Sequence, residues 1–283
     1  MSAFELRIAP HEGLFVAVIS VALFFFVIIF AETIFDLATG RRSGWRETLA
    51  NFTIEIGNQL LERTIFGTAF VLGILFVEQF AVLSIPVTWW SWILALLAAD
   101  FTYYWMHRIE HERRVFWAYH SVHHSSPEFN LTTSLRLSWV EGMVEWIFFI
   151  PMIMLGFDAV QIVGSILIVV VYQTWIHTEK IGRLGVLDRI FNTPSVHRVH
   201  HGRNPEYLDK NYGGILIIWD ILFGTYQTEQ APVDYGVTQP LESSNPVTIN
   251  FHEFWLMARD LLNVRKAASV WNVLFAPPGS DPN

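Results

Sequence analysis

Long apolar runs separated by short polar stretches fill the chain as far as residue 176, and hydropathy falls after Glu179. The first run, Gly13 to Ala31, has 19 positions without a charge, close to the roughly 20 residues a helix needs to cross a bilayer core. It predicts a span over 13–35. The polar segment from Asp36 to Glu62 follows and is expected to lie amphipathically at a membrane surface. Further spans are expected over 64–85, where Glu78 interrupts the run, over 91–106, and over 146–157 and 159–176. The last pair reads as two spans turning at Gly156 or as a hairpin re-entering from one side. Pro86 with Trp89 and Trp90 marks an interface, as tryptophans do in aromatic belts. Residues 107–136 and 177–276 read as an extramembrane cap, and the tail 277–283 as disordered. The expected fold is a single all-α integral membrane domain with four to five transmembrane helices and a cytosolic helical cap.

Composition agrees with that pattern. The chain is 52% hydrophobic and 16% charged, where a soluble domain carries about a quarter charged residues. A net charge of -8 argues against a nucleic-acid partner, which needs basic patches. There is no cysteine, which excludes disulfides and thiolate metal ligands. Met1 to Pro10 carries one Glu and one Arg, so the N-terminus has no basic signal-peptide region, and the run behind it is long enough to span. Five spans put Arg41, Arg42, Arg46, Arg108, Arg113, Arg114, Arg136, Lys180, Arg183, Arg189 and Arg198 on one side. That side is then cytoplasmic, either of a bacterial inner membrane or of the endoplasmic reticulum.

The polar positions that carry chemistry are histidines. Nine of the eleven fall in three strings and one isolated position: His107 and His111; His120, His123 and His124; His197, His200 and His201; and His177. On a helix, residues four apart are separated by about 40° and residues three apart by about 60°, so each string is expected to present its imidazoles on one face. Imidazole suits iron, zinc, copper and nickel. Eight or nine ring nitrogens are too many for one tetrahedral zinc and suit two metals of higher coordination. Ionisable groups beside membrane spans mark function; His11 and His252, standing alone, read as ordinary packing residues.

Two other classes compete. His107-Arg108-Ile109-Glu110-His111 matches the H-x-x-E-H string of inverted zinc peptidases, with Glu110 as base, but leaves both H-x-x-H-H strings unexplained. A histidine-lined metal transporter would instead want its ligands along a path through the spans, whereas these lie beyond them.

Over roughly Ala99 to Glu229 the chain resembles the fatty acid hydroxylase or sterol desaturase superfamily, membrane di-iron oxygenases with H-x-x-x-H and H-x-x-H-H motifs. It is most similar to the alkylglycerol monooxygenase-like branch. That likeness rests on Tyr103-Tyr104-Trp105-Met106-His107-Arg108, His123-His124-Ser125-Ser126, Trp175-Ile176-His177-Thr178-Glu179, Asn192-Thr193-Pro194-Ser195 and His200-His201-Gly202-Arg203-Asn204. Asp209-Lys210-Asn211-Tyr212-Gly213-Gly214, Trp219-Asp220 and Phe223-Gly224-Thr225 complete it. The animal alkylglycerol enzymes are longer, so shared site residues do not secure a shared substrate or electron donor.

The resemblance implies that the nine histidines hold two irons, for which zinc can substitute in a purified sample. It also implies O2 activation with two external electrons and hydroxylation of a lipid C–H bond. On an alkylglycerol this would break the ether; a sterol or fatty-acyl hydroxylase or desaturase would use the same site. The electron donor would be a separate reductase, cytochrome, ferredoxin or a pterin such as tetrahydrobiopterin. Asp100, two turns before His107, is the first candidate for a carboxylate orienting an imidazole, followed by Glu112 and Glu179. Aromatic residues from Trp139 to Phe149 are candidates for lining a lipid tunnel. Arg203, Asn204, Lys210 and Asn211 could bind a headgroup or electron donor, or could brace the cap.

Overall fold

The computed structural model describes residues 11–40, 45–264 and 266–281. Among them the regular structure is helical, with two isolated bridges, Phe191 with Leu216 and Gly202 with Tyr235, and no strand. Arg41 and Arg42, and the N-terminal residues 1–10, lie outside the described residues.

Helix α1 (Glu12–Ala38) exposes nearly all of its apolar surface. Its buried polar residues gather in the last turns, where the Leu131 amide donates to Glu32 at 2.8 Å and Lys180 bridges Glu32 and Asp36 at 2.8 Å each. Helix α2 (Trp45–Glu78) runs 34 residues through a π-turn at Glu62–Phe66. The expected surface segment and second span are therefore largely one helix. No proline stands between Trp45 and Pro86 to break it, and the polar half faces protein instead of water. Asn51 donates to Thr132 at 3.0 Å, Asn58 to the Ser138 carbonyl at 2.8 Å, and Glu47 pairs with Arg136 at 2.8 Å. α1 and α2 are each long and apolar enough to cross a membrane. Helix α2 ends at Glu78, so 79–85, predicted as span, is irregular chain.

Helix α3 (Trp89–Glu112) starts at a capping box, Thr88 with Ser91, and continues unbroken from the expected span into His107 and His111. Arg113 alone is extended (φ -129°, ψ 118°), and that one residue folds α4 (Arg114–His124) back against α3. From Ser138 the chain returns beside α2: Trp139 donates to the Ile54 carbonyl at 2.9 Å. Gly57 and Gly73 make this approach possible, since a Cβ there would meet the Trp139 ring at 2.4 Å and the Trp146 ring at 2.9 Å. These tryptophans thus pack against a helix.

Residues 146–157, expected as one span, instead form a 3-10 turn (Glu145–Phe149), a five-residue helix (Ile150–Met154) and a turn at Gly156. Pro151 lacks the amide that would continue the helical ladder. The turn is tied to the far loop by Val82 to Met154 at 2.8 Å and Ile85 to Gly156 at 2.9 Å. Helix α5 (Ala159–Thr174) has 16 residues, about 24 Å at 1.5 Å per residue. It packs against α3, where Ala95 and Ala99 let Ile162 close in, the small-residue packing common between apolar helices.

The cap adds α6 (Pro194–His200), α7 (Ile218–Phe223), α8 (Pro246–Asn263) and α9 (Ala267–Phe275). The tail expected to be disordered is placed as far as Asp281, and Pro277 to Ser280 line a cavity against α4 and α8.

Candidate metal centre

Three short helical segments bring the histidines together. The corner at Arg113 sets the His107 and His111 turn of α3 against the last turns of α4. Pro194 at the start of α6 fixes where His197, His200 and His201 fall. Five rings, His107, His111, His120, His124 and His200, each direct one nitrogen to within 4.8 Å of the others, and His123, His177, His197 and His201 do the same. All nine histidines are joined into two groups.

The grouping cuts across the sequence strings. His120 and His124, four apart, stay together, and so do His197 and His201. His123 and His200 leave their strings for the other group, because neighbours on a helix point about 100° apart. Within the first group Nε2 of His120 lies 3.0 Å from His107 and 3.2 Å from His124. Within the second, Nε2 of His177 lies 3.1 Å from His123 and 2.9 Å from His197, which is 3.1 Å from His201.

The opposite ring edges are held by the protein. Nδ1 of His107 bonds the Tyr212 carbonyl at 2.9 Å, His177 the Gln173 carbonyl at 2.8 Å, and His200 the Lys210 carbonyl at 2.9 Å. Such bonds fix the tautomer with Nε2 unprotonated and free to ligate. Burial holds all nine imidazoles neutral. It brings His107 and His177 down to about 4 against the opposing pull of their carbonyl bonds. The other seven lie well below the usual range through burial first and neighbouring imidazoles second.

Buried Nε2 atoms of His111 and His200 have no hydrogen-bond partner. Buried polar atoms are rarely left so, and a cation among convergent neutral rings satisfies them. The donor set therefore fits metal ions that accept imidazole.

None of the three carboxylates chosen from sequence touches a histidine. Asp100 accepts from the Ile215 amide at 2.6 Å, the Leu216 amide at 3.1 Å and Trp219 Nε1 at 2.9 Å. It therefore anchors the loop whose Tyr212 carbonyl holds His107. Glu112 pairs with Arg108 at 2.7 Å on the surface, and Glu179 accepts from the Tyr235 hydroxyl at 3.1 Å. A buried carboxylate does approach the rings: Oε2 of Glu110 is 3.2 Å from Nδ1 of His120. Burial pushes Glu110 up to about 8, against the hydrogen bond from Tyr119 that lowers it.

The loop from Asp209 to Gly214 is braced on every side. Asn211 (φ 60°) donates to the Val196 and Gln227 carbonyls at 3.0 and 2.8 Å. Asp220 accepts from the Tyr212 and Gly213 amides at 2.8 Å each. Gly213 and Gly214 leave room for Leu216 and Asp100, which a Cβ would meet at 2.5 and 2.9 Å. Arg203 pairs with Asp234 at 2.8 Å and Asn204 accepts from the Asp234 amide at 2.8 Å, so these residues brace the cap. A cavity of about 290 Å³ reaches His111, His124, His200 and His201 past Arg114 and Trp117.

The fatty acid hydroxylase family profile matches residues 92–225, which contain all nine histidines. That stretch is a fatty acid hydroxylase domain. The chain is 42% identical to the alkylglycerol monooxygenase of Homo sapiens over 208 residues, which cover 71% of this chain and 42% of that protein. It is 41% identical to the alkylglycerol monooxygenase of Danio rerio over 230 residues (79% and 50%). It is 31% identical to the ornithine lipid hydroxylase OlsE of Rhizobium tropici over 185 residues (61% and 55%). The chain spans about half the length of the curated relatives it matches. No solved structure matches it significantly.

Proposed function

We propose that the chain is a membrane di-iron monooxygenase that hydroxylates a lipid C–H bond, with the ether-bearing carbon of an alkylglycerol as the first substrate to test. The observation that carries this reading is the pair of all-imidazole groups in a domain of this family. The relatives named alkylglycerol monooxygenase supply the substrate class. His107, His111, His120, His124 and His200 would hold one ion, and His123, His177, His197 and His201 the other.

When bound, the irons supply O2 activation, consuming two external electrons and two protons and releasing one oxygen atom as water. The chain's part is orientation and a dry, neutral pocket. Backbone carbonyls of Gln173, Lys210 and Tyr212 aim the rings, and Phe129 closes the four-histidine side with ring centroids 5.0 to 6.2 Å from His177, His197 and His201. Hydroxylation beside an ether oxygen gives a hemiacetal, which collapses to an aldehyde and a glycerol derivative.

The zinc-peptidase reading needs Glu110 free to act as base, whereas both of its oxygens are engaged. The transporter reading needs ligands strung along the helices, whereas these gather at one end of them. The topology we propose has five traverses, with 138–156 descending in short helical pieces and α5 returning. The histidine side is cytoplasmic, with Arg46, Arg108, Arg113, Arg114, Arg136, Lys180, Arg183, Arg189 and Arg198 all on it.

The test is O2 uptake by detergent-purified, iron-loaded protein with a reductant and an alkylglycerol. Stoichiometric long-chain aldehyde supports the ether reading. Uptake and a hydroxylated product with other lipids alone discards the ether substrate and keeps the oxygenase. No lipid-dependent uptake rejects the oxygenase.

A further inference from the structure

We propose that Glu110 is a positioning residue that fixes His120 and makes the five-histidine group the tighter of the two metal positions. This inference rests on the metal reading above.

Glu110 is 1% exposed, at the end of α3 and beneath α4. The Tyr119 hydroxyl donates to its Oε1 at 2.7 Å, and its Oε2 lies 3.2 Å from Nδ1 of His120. With the proton on Nδ1, the lone pair of His120 Nε2 faces His107 and His124. A carboxylate in that position raises the ligand's basicity as well as setting its orientation.

The same residue poses an energetic problem that the proposal resolves. Among the described residues no Lys or Arg pairs with Glu110. A buried carboxyl with no cation beside it is costly to ionise. Five neutral rings around a divalent ion present the opposite deficit, a cation with no anion. Glu110, one imidazole away, offsets both.

The second group has no such support. His177 leans on the Gln173 carbonyl, His197 sits 3.5 Å from the Asn192 amide, and Nδ1 of His123 is buried without a hydrogen-bond partner. Among the described residues no carboxylate contacts any of the four rings. In the first group, Asp209 stands 3.9 Å from His111 but is 66% exposed, where water screens it.

The experiment compares the full chain with E110A, E110Q and Y119F, each purified in detergent from iron-replete cells. Metal per chain and the kinetics of iron release to a chelator are read by mass spectrometry and absorbance. Wild type should release its two irons in separate phases. In E110A and E110Q the slower phase should accelerate by about 10- to 100-fold, the range for loss of a partner behind a ligand, with the faster phase unchanged. Y119F should produce a smaller shift in the same phase. A general loss of packing would speed both phases together, so an effect on both overturns the inference, as does release unchanged in E110A and E110Q. Wild type without bound metal overturns the metal reading itself, and this proposal with it.

Discussion

The two histidine groups share a ligand chemistry and differ in what stands behind the rings. The five-histidine group is backed by polar structure: Glu110, the Tyr212 and Lys210 carbonyls, and a loop pinned by Asn211, Asp220 and Asp100. The four-histidine group has less polar backing, the Gln173 carbonyl on His177 and the Asn192 amide 3.5 Å from His197, while aromatic rings face both groups, Trp117 and Tyr212 the first and Phe129 the second. Phe129 covers three rings of the second group and itself stacks on Tyr235 at 5.0 Å and 7°. Polar backing fixes ring orientation and basicity, and the carboxylate of Glu110 stands behind the first group alone among buried carboxylates of the described residues. One motif type, repeated, thus builds two positions of different character.

The largest effects should come from removing a ring from each side. His201→Ala leaves three ligands in its group and should cost that ion, giving one iron per chain. His200→Ala leaves four in the other and should retain two irons more loosely. Both should lower turnover by more than about 100-fold, beyond what loss of a supporting partner produces. Metal analysis beside an activity assay checks the asymmetry, and equal metal loss in the two variants would break it.

Phe129→Ala comes next. Removing a buried aromatic ring costs about 3 kcal/mol or more, so thermal stability should fall, and release of the four-histidine ion should accelerate while the other holds. Asn192→Ala is expected to be smaller, about 1–3 kcal/mol for a carbonyl left without a donor. Asn192 donates to the Gly213 carbonyl at 2.6 Å and so ties the His197 side to the loop behind His107. A thermal melt measures it.

The effect of pH is read on metal-free protein. His107 and His177, one from each group, are held near 4 in the fold, against an ordinary value of about 6.5 in an unfolded chain. Between those values the unfolded chain binds protons that the folded one refuses. Stability of metal-free protein should therefore decline as pH falls from about 6.5 toward 4 and be indifferent to these rings above that window. Melts of chelated protein across pH 4 to 8 read the slope.

Much of the site could be read from the chain because helical spacing is a local property. The i, i+4 pairs His107–His111, His120–His124 and His197–His201 all remain paired. What spacing could not reveal is which ring a third histidine joins, since that depends on how α4 and α6 face each other across His177. Glu110 went unassigned as a support for the same reason. Its partners Tyr119 and His120 lie on another helix, and only the corner at Arg113 brings them into reach. Asp100 shows the converse: its place on the His107 helix suggested a ring partner, yet loop amides of Ile215 and Leu216 reach it first. In the fold, α1 and α3 were legible from their apolar runs. The break-up of 146–157 and the joining of 45–78 were not: the first depends on the 82–85 loop bonding the Met154 and Gly156 carbonyls, the second on polar side chains of 45–61 finding partners in the protein.

The central claim is that the two histidine groups hold two ions, and metal stoichiometry of the intact chain tests it most directly. Protein purified in detergent from iron-replete cells should carry two irons per chain, or two zincs where zinc has exchanged in. One ion per chain, with full folding and no second site on reconstitution, would contradict it.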